Sequence, residues 1–294
     1  MNGIIVIDKP QGMTSHDVVS FLRGKTGVKR IGHTGTLDPM ATGVLAVFIG
    51  KATRVIEYAG KTDDREAKLY RCTMKMGMET DTQDIWGQTL SQSENLPNVD
   101  NIERVLKSFE GQGMQKPPLY SAVKVGGRKL YEYARKGTAP DESLIRDRMI
   151  YIKHINVKHI DKAESEVCFD ILCSKGVYIR TLCADAGRKL GCGAVMSGLR
   201  RLKSDGFSIE SAYSIEALRE GEMPPLLSMD TALGWIQRIE VDEDGARALS
   251  QGQALGIRNS VIEDGIIRIY SADSLIGIGC VSEQSLLKPV KILI

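Results

Sequence analysis

The sequence lacks a long hydrophobic run. Its longest unbroken apolar stretch is the six-residue segment Val44–Ile49, whereas a membrane-spanning helix needs about 20 residues. The N-terminal residues Met1–Gly3 lead directly into the strand-like segment Ile4–Ile7, and they carry neither the basic region nor the cleavage site of a secretory signal. Both absences argue against secretion and membrane insertion, so we expect a cytoplasmic protein that has no membrane partner.

The sequence also lacks the cysteine and histidine spacings that mark metal sites. Its six cysteines include no Cys-x-x-Cys pair. Cysteines scattered in this way are typical of free thiols in a reducing compartment, not of a disulfide framework. The four histidines have no metal-ligand spacing either among themselves or with the cysteines, and the sequence therefore predicts no metal site.

Charge of one sign is not in excess, since 39 Lys and Arg residues stand against 37 Asp and Glu residues and the formal net charge is +2. The charges are nevertheless segregated along the chain. Six basic residues and one acid lie in 116–136, and seven basic residues and one acid lie in 174–203, whereas 204–250 holds ten acids and three bases. Clustered basic stretches on a nearly neutral protein are typical of a localised polyanion-binding surface. A solvated face balanced by nearby acids explains the pattern equally well.

Hydrophobic periodicity predicts a mixture of strands and helices. Strands are predicted at Gly3–Asp8, Val44–Ile49, Lys68–Met76 and Val167–Leu172, and helices from Thr14 or Ser15 to Arg23 and over Ile102–Phe109. The segment Gly176–Leu190 is predicted to begin as a strand and to pass into a helix. Because no regular βαβ repeat is present, this mixture favours an α+β fold over a doubly wound sheet.

A domain boundary is predicted near Gly221–Ser228, where two prolines follow an acidic helix. Five short strand-like pieces lie beyond it, between residues 236 and 293, at the spacing of a small barrel. We therefore expect a first domain over residues 1–228 and a small all-β domain over residues 229–294. A chain of the first domain's length is long enough to bury a core of its own, so we expect it to fold without the second.

The most informative segment is 31–43, Ile-Gly-His-Thr-Gly-Thr-Leu-Asp-Pro-Met-Ala-Thr-Gly, whose three glycines and one proline predict a loop. Asp38 precedes Pro39, so its backbone is extended and its carboxylate projects from the loop. A lone Asp-Pro is more often a turn than a catalytic site. The whole segment 31–43, however, favours a catalytic site over a turn at Asp38.

This string resembles the signature loop of the TruB family of pseudouridine synthases, whose aspartate attacks the target uridine. Other segments resemble further motifs of the family in the same order, and the resemblance runs from about residue 3 to residue 205. They are Lys9–Ser15, Leu69–Arg71 ahead of Gly77–Thr82, Pro117–Arg135, Cys173–Leu182 and Gly198–Leu202. The C-terminal part is similar, more weakly, to the small PUA-like β-barrel of the family.

The resemblance implies an α+β pseudouridine-synthase fold with a mixed, largely antiparallel central sheet flanked by helices and loops. It further implies an RNA-clamping insertion at about 112–148 within the first domain and a PUA-like RNA-binding domain at 229–294. Pseudouridine formation breaks the N1–C1′ bond and joins C5 to C1′ without any change of atoms or oxidation state. No cofactor is therefore expected.

The same resemblance implies roles for the catalytic residues. Asp38 is expected to act as the nucleophile, and Arg180 as the guanidinium that pairs with it. We expect Arg180 to lie on a strand-like piece, where it shares a face with Tyr178. Tyr70 is expected to stack on the uracil and is a candidate for proton transfer. Whether Asp38 attacks the base, attacks the sugar or promotes elimination stays open.

Four further residues are implied to contact the substrate. His33, five residues before Asp38 on the same loop, would fill the space that the flipped base vacates. The others are expected to border the pocket: Tyr178, Leu199 and Lys9. Flipping the base costs a few kcal/mol, and stacking on an aromatic ring returns about 1–3 kcal/mol per base.

These expectations together predict an isomerase that converts the T-loop uridine at position 55 of tRNA to pseudouridine. We expect a monomer whose partner is the T-stem-loop of tRNA, with neither a guide RNA nor a protein partner. One alternative is a non-catalytic RNA-binding or RNA-folding protein, against which the joint presence of Asp38, Tyr70 and Arg180 argues. The other is a guide-RNA-dependent synthase, against which the clamp-like insertion and the lack of a long basic tail argue.

Overall fold

The structure is a computed structural model, and it describes residues 1–60, 68–138, 140, 142–257, 265–282 and 285–293. Its strands are β1 Gly3–Lys9, β2 Ile31–His33, β3 Thr42–Ile49, β4 Lys68–Met76, β5 Met78–Thr80, β6 Thr89–Gln92, β7 Gly111–Gln115, β8 Lys124–Val125, β9 Arg128–Lys129, β10 Arg148–Asp161, β11 Glu166–Cys173, β12 Ala194–Ser204, β13 Phe207–Ser208, β14 Tyr213–Ser214, β15 Gln237–Glu240, β16 Leu255–Gly256, β17 Gly265–Ser271, β18 Ser274–Ser282 and β19 Leu286–Ile292.

The α-helices of the described residues are α1 Ser15–Thr26, α2 Val99–Lys107, α3 Leu130–Arg135, α4 Ile179–Leu190, α5 Ile215–Glu220, α6 Met229–Leu233 and α7 Glu243–Ser250. Short 3-10 helices lie at Gly50–Tyr58, Glu142–Leu144 and Ile209–Ser211. No helix within the described ranges is long and apolar enough to cross a membrane.

A ten-stranded sheet organises the first part of the chain, and its main path runs β14-β1-β3-β12-β4-β11-β10-β7. Two pairings, β1 with β14 and β3 with β12, are parallel. The other pairings of this sheet are antiparallel. This mixed, largely antiparallel sheet confirms the predicted α+β class.

Local sequence signals explain several element bounds. On β4 the side chains alternate, because Tyr70, Cys72, Met74 and the two terminal residues are buried while the residues between them are not. Helix α1 starts where Thr14 caps it through a capping box with Asp17. It continues past the predicted end at Arg23 and stops at Gly27, which has a left-handed backbone.

The prediction that Gly176–Leu190 begins as a strand was wrong. Strand β11 already ends at Cys173, and the chain then turns through Gly176, whose φ is +89°. Tyr178 is the N-cap of α4, so Arg180 is the second residue of a helix. Tyr178 and Arg180 therefore do not share the face of a strand, and the first helical turn sets the direction of the guanidinium.

The C-terminal part contains a five-stranded sheet of order β15-β17-β18-β19-β16. The predicted all-β composition was incomplete, because α7 lies between β15 and β16. The side chain of Asp242 caps this helix by accepting a hydrogen bond from the Gly245 N–H, and Leu249 on the helix is buried. This cap lies beyond the predicted boundary, where the strand pattern predicted no helix.

Residues beyond 228 pack into the core of the large sheet. Residues of both regions share one hydrophobic cluster, which includes Ile4, Val6, Phe48, Ala232, Leu233, Ile236, Ile278 and Leu293. Trp235 Nε1 donates a hydrogen bond to the Tyr58 carbonyl oxygen at 3.0 Å, and Lys291 pairs with Glu57 at 3.0 Å. A boundary at 228/229 remains a proposal about domain organisation, and the shared core argues against independent folding of 1–228.

The shared core predicts that a chain ending at Ser228 is strongly destabilised. Truncation exposes Ile4, Val6 and Phe48 and removes the residues that cover them. We expect the truncated chain to lose cooperative thermal unfolding, measured by circular dichroism. A truncated chain that melted cooperatively within a few degrees of the full chain would contradict this expectation.

A matched pair of full-length variants tests the same contact without truncation. Ile278 is fully buried in the shared cluster, whereas Val290 is exposed. Ile278→Ala should lower the free energy of unfolding by about 2–5 kcal/mol, and Val290→Ala should change it little. Urea denaturation of both variants provides the measurement.

Candidate active site

The loop that carries Asp38 is anchored to the sheet at both ends. It leaves β2 after His33 and returns to β3 at Thr42, and these two strands pair with each other. Its second end needs a glycine, because Gly43 has a φ of +100° and a Cβ there would overlap the Arg201 carbonyl oxygen. This close approach is where β3 and β12 pair in parallel.

Hydrogen bonds fix the Asp38 loop from its buried side. The Gly12 N–H donates to the Pro39 carbonyl oxygen at 2.8 Å, and the Leu37 N–H donates to Ser15 Oγ at 2.9 Å. Three loop residues belong to the hydrophobic core: Leu37, Met40 and Ala41. Asp38 lies among them with its side chain 40% exposed, so a rigid loop presents its carboxylate to solvent.

The guanidinium of Arg180 is the partner of this carboxylate. Its Nε lies 2.9 Å from Asp38 Oδ2, and its side chain is only 6% exposed. Nη1 donates to the Thr82 carbonyl oxygen at 3.1 Å and Nη2 to the Tyr120 carbonyl oxygen at 2.8 Å. Each nitrogen of Arg180 therefore contacts a different segment, and Nε is held in a fixed orientation toward Asp38.

Asp84 is a second carboxylate near Arg180, and this contact was not predicted from the sequence. Its Oδ2 lies 3.8 Å from Arg180 Nη1, and the residue is 8% exposed. Its Oδ1 accepts hydrogen bonds from Thr82 Oγ1 at 2.8 Å and from the Trp86 N–H at 3.1 Å. The sequence contains one signal for this contact of Asp84, because the residue lies only two positions after Thr82, the end of the Gly77–Thr82 motif.

Gln115 is a further residue that the sequence did not reveal. Its Nε2 donates to the Tyr178 carbonyl oxygen at 3.0 Å, and its Oε1 accepts from the Tyr178 N–H at 2.8 Å. The amide thus holds the N-cap residue of α4, which has no capping side chain of its own. No local signal predicts this contact, because Gln115 and Tyr178 are far apart in the chain.

Tyr70 lies on β4, next to the core residues of the loop. It is 8% exposed and belongs to the same hydrophobic cluster as Leu37 and Met40. Burial raises the pKa of its phenol above the ordinary value. Leu199, half-buried on β12 opposite Cys72, packs against the same cluster, and half-buried Tyr178 precedes α4.

His33 lies where the loop leaves β2, Lys9 lies on β1, and the two residues differ in their surroundings. His33 is half-buried, and its Nε2 lies 3.4 Å from Thr36 Oγ1. Burial is the main cause of its lowered pKa, and the positive charges of Arg201 and His16 add to it. The ring is therefore neutral at pH 7, which suits a residue that fills space beside a base.

Lys9 is completely buried and contacts the loop from behind. Its Nζ donates to the carbonyl oxygens of Met13 at 2.6 Å, Pro10 at 2.9 Å and Pro39 at 3.4 Å. Burial lowers the pKa of Lys9 to about 8, against the opposing effect of the Asp38 charge. Lys9 thus stabilises the backbone next to Asp38 through its hydrogen bond to Pro39.

A carboxylate that is oriented by a guanidinium and left open to solvent can act as a nucleophile or stabilise a developing positive charge. The structure brings Asp38 and Arg180 into direct contact. Tyr70 belongs to the hydrophobic cluster that also contains Leu37, Met40 and Ala41 of the Asp38 loop. Asp38 and Arg180 meet through the pairing of β3 with β12 and the start of α4, and not through proximity in the sequence.

Family models match most of the chain. One described as the N-terminal domain of the TruB family of pseudouridylate synthases matches residues 23–179. A model described as the C-terminal domain of tRNA pseudouridylate synthase B matches residues 180–223. A third, described as the C-terminal part of pseudouridine synthase II TruB, matches residues 238–293.

Individual relatives match over the whole length. The tRNA pseudouridine synthase B of Alkaliphilus oremlandii (strain OhILAs) is 42% identical, with 100% of this chain and 98% of that protein covered. The protein of the same name from Aquifex aeolicus (strain VF5) is 38% identical, with 95% of each covered. A solved Cbf5-Nop10-Gar1 complex contains a chain with a TM-score of 0.71 at 25% identity, covering 99% of this chain and 85% of that one. The expected pseudouridine-synthase fold with its PUA-like C-terminal part is confirmed.

The buried ammonium of Lys9 makes stability depend on pH. The unfolded chain keeps this proton up to the ordinary pKa of 10.5, whereas the folded protein releases it near 8. Between these values the unfolded state binds more protons, so the contribution of Lys9 to the free energy of unfolding rises with pH. We expect the free energy of unfolding of the wild type, minus that of Lys9→Met, to increase from about pH 7.5 to about pH 10.

Urea denaturation across this range provides the measurement, and Lys51→Met at an exposed lysine corrects for background titration. A difference between wild type and Lys9→Met that stayed constant or fell with pH would show that Lys9 does not titrate as its burial predicts.

Proposed function

The chain belongs to the TruB family of pseudouridylate synthases, and from that premise we propose that it converts the T-loop uridine at position 55 of tRNA to pseudouridine. The observation that carries the proposal is the 2.9 Å contact between Arg180 Nε and Asp38 Oδ2 on a partly exposed loop. The relatives from Alkaliphilus and Aquifex, both named tRNA pseudouridine synthase B, support tRNA as the substrate.

In this proposal Asp38 is the nucleophile and Arg180 holds its carboxylate in the reactive orientation. The target base leaves its stack at a cost of a few kcal/mol, a cost that is smallest in an RNA loop whose bases are already splayed. The detached uracil stacks on Tyr70, which returns about 1–3 kcal/mol. Attack on the base, attack on the sugar and elimination all use the same Asp38 position.

Residues around these three complete the proposed pocket. His33, as a neutral ring, fills the space left by the flipped base, and Tyr178 and Leu199 line the pocket. Lys9 acts through the backbone of Pro39. Because burial raises the pKa of Tyr70, its phenol enters the reaction protonated and is available for stacking and proton transfer.

The insertion at 112–148 supplies a basic surface for the RNA backbone. It has a small hydrophobic core of its own, formed by Val125, Leu130 and Ile145. Seven basic residues of the insertion are exposed: Lys116, Lys124, Arg128, Arg135, Lys136, Arg146 and Arg148. Contacts of such residues with phosphates release counterions, so binding of the RNA should weaken as salt rises.

We propose further that the enzyme works as a monomer in the cytoplasm without a guide RNA or a protein partner. Relatives that match over the whole length are named as tRNA enzymes, whereas the Cbf5 complex is a more distant match. All six cysteines are free thiols, which fits a reducing compartment.

Release of tritium from a T-stem-loop RNA with C5-tritiated uridine tests the proposal. The purified protein alone should release the label from position 55, and an RNA with cytidine at that position, labelled elsewhere, should release none. Absence of release from the first RNA, despite binding, would favour a non-catalytic RNA-binding protein. Release only after addition of a guide RNA would favour the guide-dependent alternative.

Asp38→Asn should lower the rate of tritium release by several orders of magnitude and leave RNA affinity within about threefold. The amide nearly preserves the shape of the side chain but is not a carboxylate nucleophile. Asp170→Asn, which removes a carboxylate paired with Arg71 on another part of the sheet, is the control. Turnover of Asp38→Asn within tenfold of the wild type, after a check for deamidation, would show that Asp38 is not the nucleophile.

Arg180→Lys should lower turnover more than it lowers RNA binding. An ammonium cannot reproduce the three directed contacts that the planar fork makes with Asp38, Thr82 and Tyr120. Single-turnover rates and filter-binding affinities separate the two effects, with Arg71→Lys as the control. Equal losses of rate and affinity would mean that Arg180 mainly holds a phosphate.

A further inference from the structure

Arg201 is one of the most deeply buried charged residues of the described chain, at 1% exposed. Burying a guanidinium is costly unless its donors are satisfied. Its Nε donates to the Val44 carbonyl oxygen at 2.8 Å and its Nη2 to the Gly35 carbonyl oxygen at 2.7 Å. The buried charge of Arg201 is therefore satisfied by two backbone carbonyl oxygens.

Those two carbonyls lie on opposite sides of the segment that carries Asp38. Gly35 precedes it and Val44 follows it, so one guanidinium ties together both ends of 36–43. The contact is close: Gly35 has a φ of +58°, and a Cβ there would lie 3.2 Å from Arg201 Nη1 and would collide with Lys68 Nζ. The loop therefore packs at Gly35 directly against the side chains of Lys68 and Arg201.

Arg201 also faces Tyr70. The pairing of β4 with β12 puts these two residues directly opposite each other. The charge of Arg201 opposes the increase in the Tyr70 pKa that burial causes, while the neighbouring Cys173 and Asp205 reinforce that increase. Arg201 thus binds the Asp38 loop through its guanidinium and lies opposite Tyr70 in the sheet.

We propose that Arg201 is a positioning residue for pseudouridine formation, and that it holds the Asp38 loop and the Tyr70 phenol in one fixed geometry. The proposal rests on the proposed function, because it assigns both groups to the reaction. Arg201 itself lies beneath the loop and does not touch the RNA. Its loss should therefore slow the chemical step without weakening substrate binding.

Arg201→Lys tests this directly, because lysine keeps the charge but has a single nitrogen, which cannot occupy both positions from which Nε and Nη2 donate to the two carbonyl oxygens. We expect the single-turnover rate of tritium release to fall by tenfold or more and RNA affinity to stay within threefold. Arg71→Lys is the control: Arg71 follows Tyr70 on β4 but is exposed and bound to Asp170. It should stay within threefold in both measurements.

Gly35→Ala tests the same contact from the loop side, so the proposal does not depend on the folding of one variant. The added methyl group pushes the loop off Arg201 and Lys68, and we expect the same loss of rate without loss of affinity. Gly27→Ala is the matched control, because Gly27 has a φ of +69° and a methyl group added there would have no neighbour within 4 Å. It carries the same backbone strain without the contact.

A rate loss of less than tenfold in both test variants would overturn the proposal, as would an equal loss of rate and affinity. The wild-type protein is measured first in the same assay. Failure of the wild type to release tritium would overturn the proposed function and this inference with it. An active wild type with unaffected variants would overturn this inference alone.

Discussion

The contact between Asp38 and Arg180 is the constraint on which the rest of the site depends. Asp38 comes from a loop between two strands, and Arg180 from the first turn of a helix that follows a different strand. Their meeting requires the order β3-β12-β4-β11 in the central sheet, because β3 anchors the loop and β11 leads into the turn before the helix. The strand order of the central sheet therefore brings the Asp38 carboxylate into contact with the Arg180 guanidinium.

The loop shows how irregular backbone is stabilised at such a site. A loop lacks the hydrogen-bond ladder of a strand, so its carbonyl oxygens need other partners. Here buried cations supply two of them: Lys9 binds the Pro39 carbonyl oxygen, and Arg201 binds that of Gly35 as well as that of Val44 on β3. The charges of Lys9 and Asp38 also attract each other, so the contact of Lys9 with the loop backbone combines rigidity with a favourable electrostatic interaction.

Features with a local cause were predictable from the sequence, and features with a distant cause were not. The alternation in β4 and the capping box at Thr14 lie within short segments, and both elements begin where expected. Asp38 was recognisable because its whole motif is contiguous. The helical setting of Arg180 was missed because Gln115, from another strand, holds the N-cap Tyr178 in place of a local capping side chain.

The insertion reaches Arg180 through the main-chain oxygen of Tyr120, and this has an evolutionary consequence. A backbone oxygen is present whatever side chain occupies the position, so replacements there leave the acceptor in place. Its location depends instead on the number of residues that separate it from the root of the insertion at Gln115. Selection on the stretch between Gln115 and Tyr120 should therefore act on the number of its residues. We expect substitutions there to be tolerated and deletions to be removed.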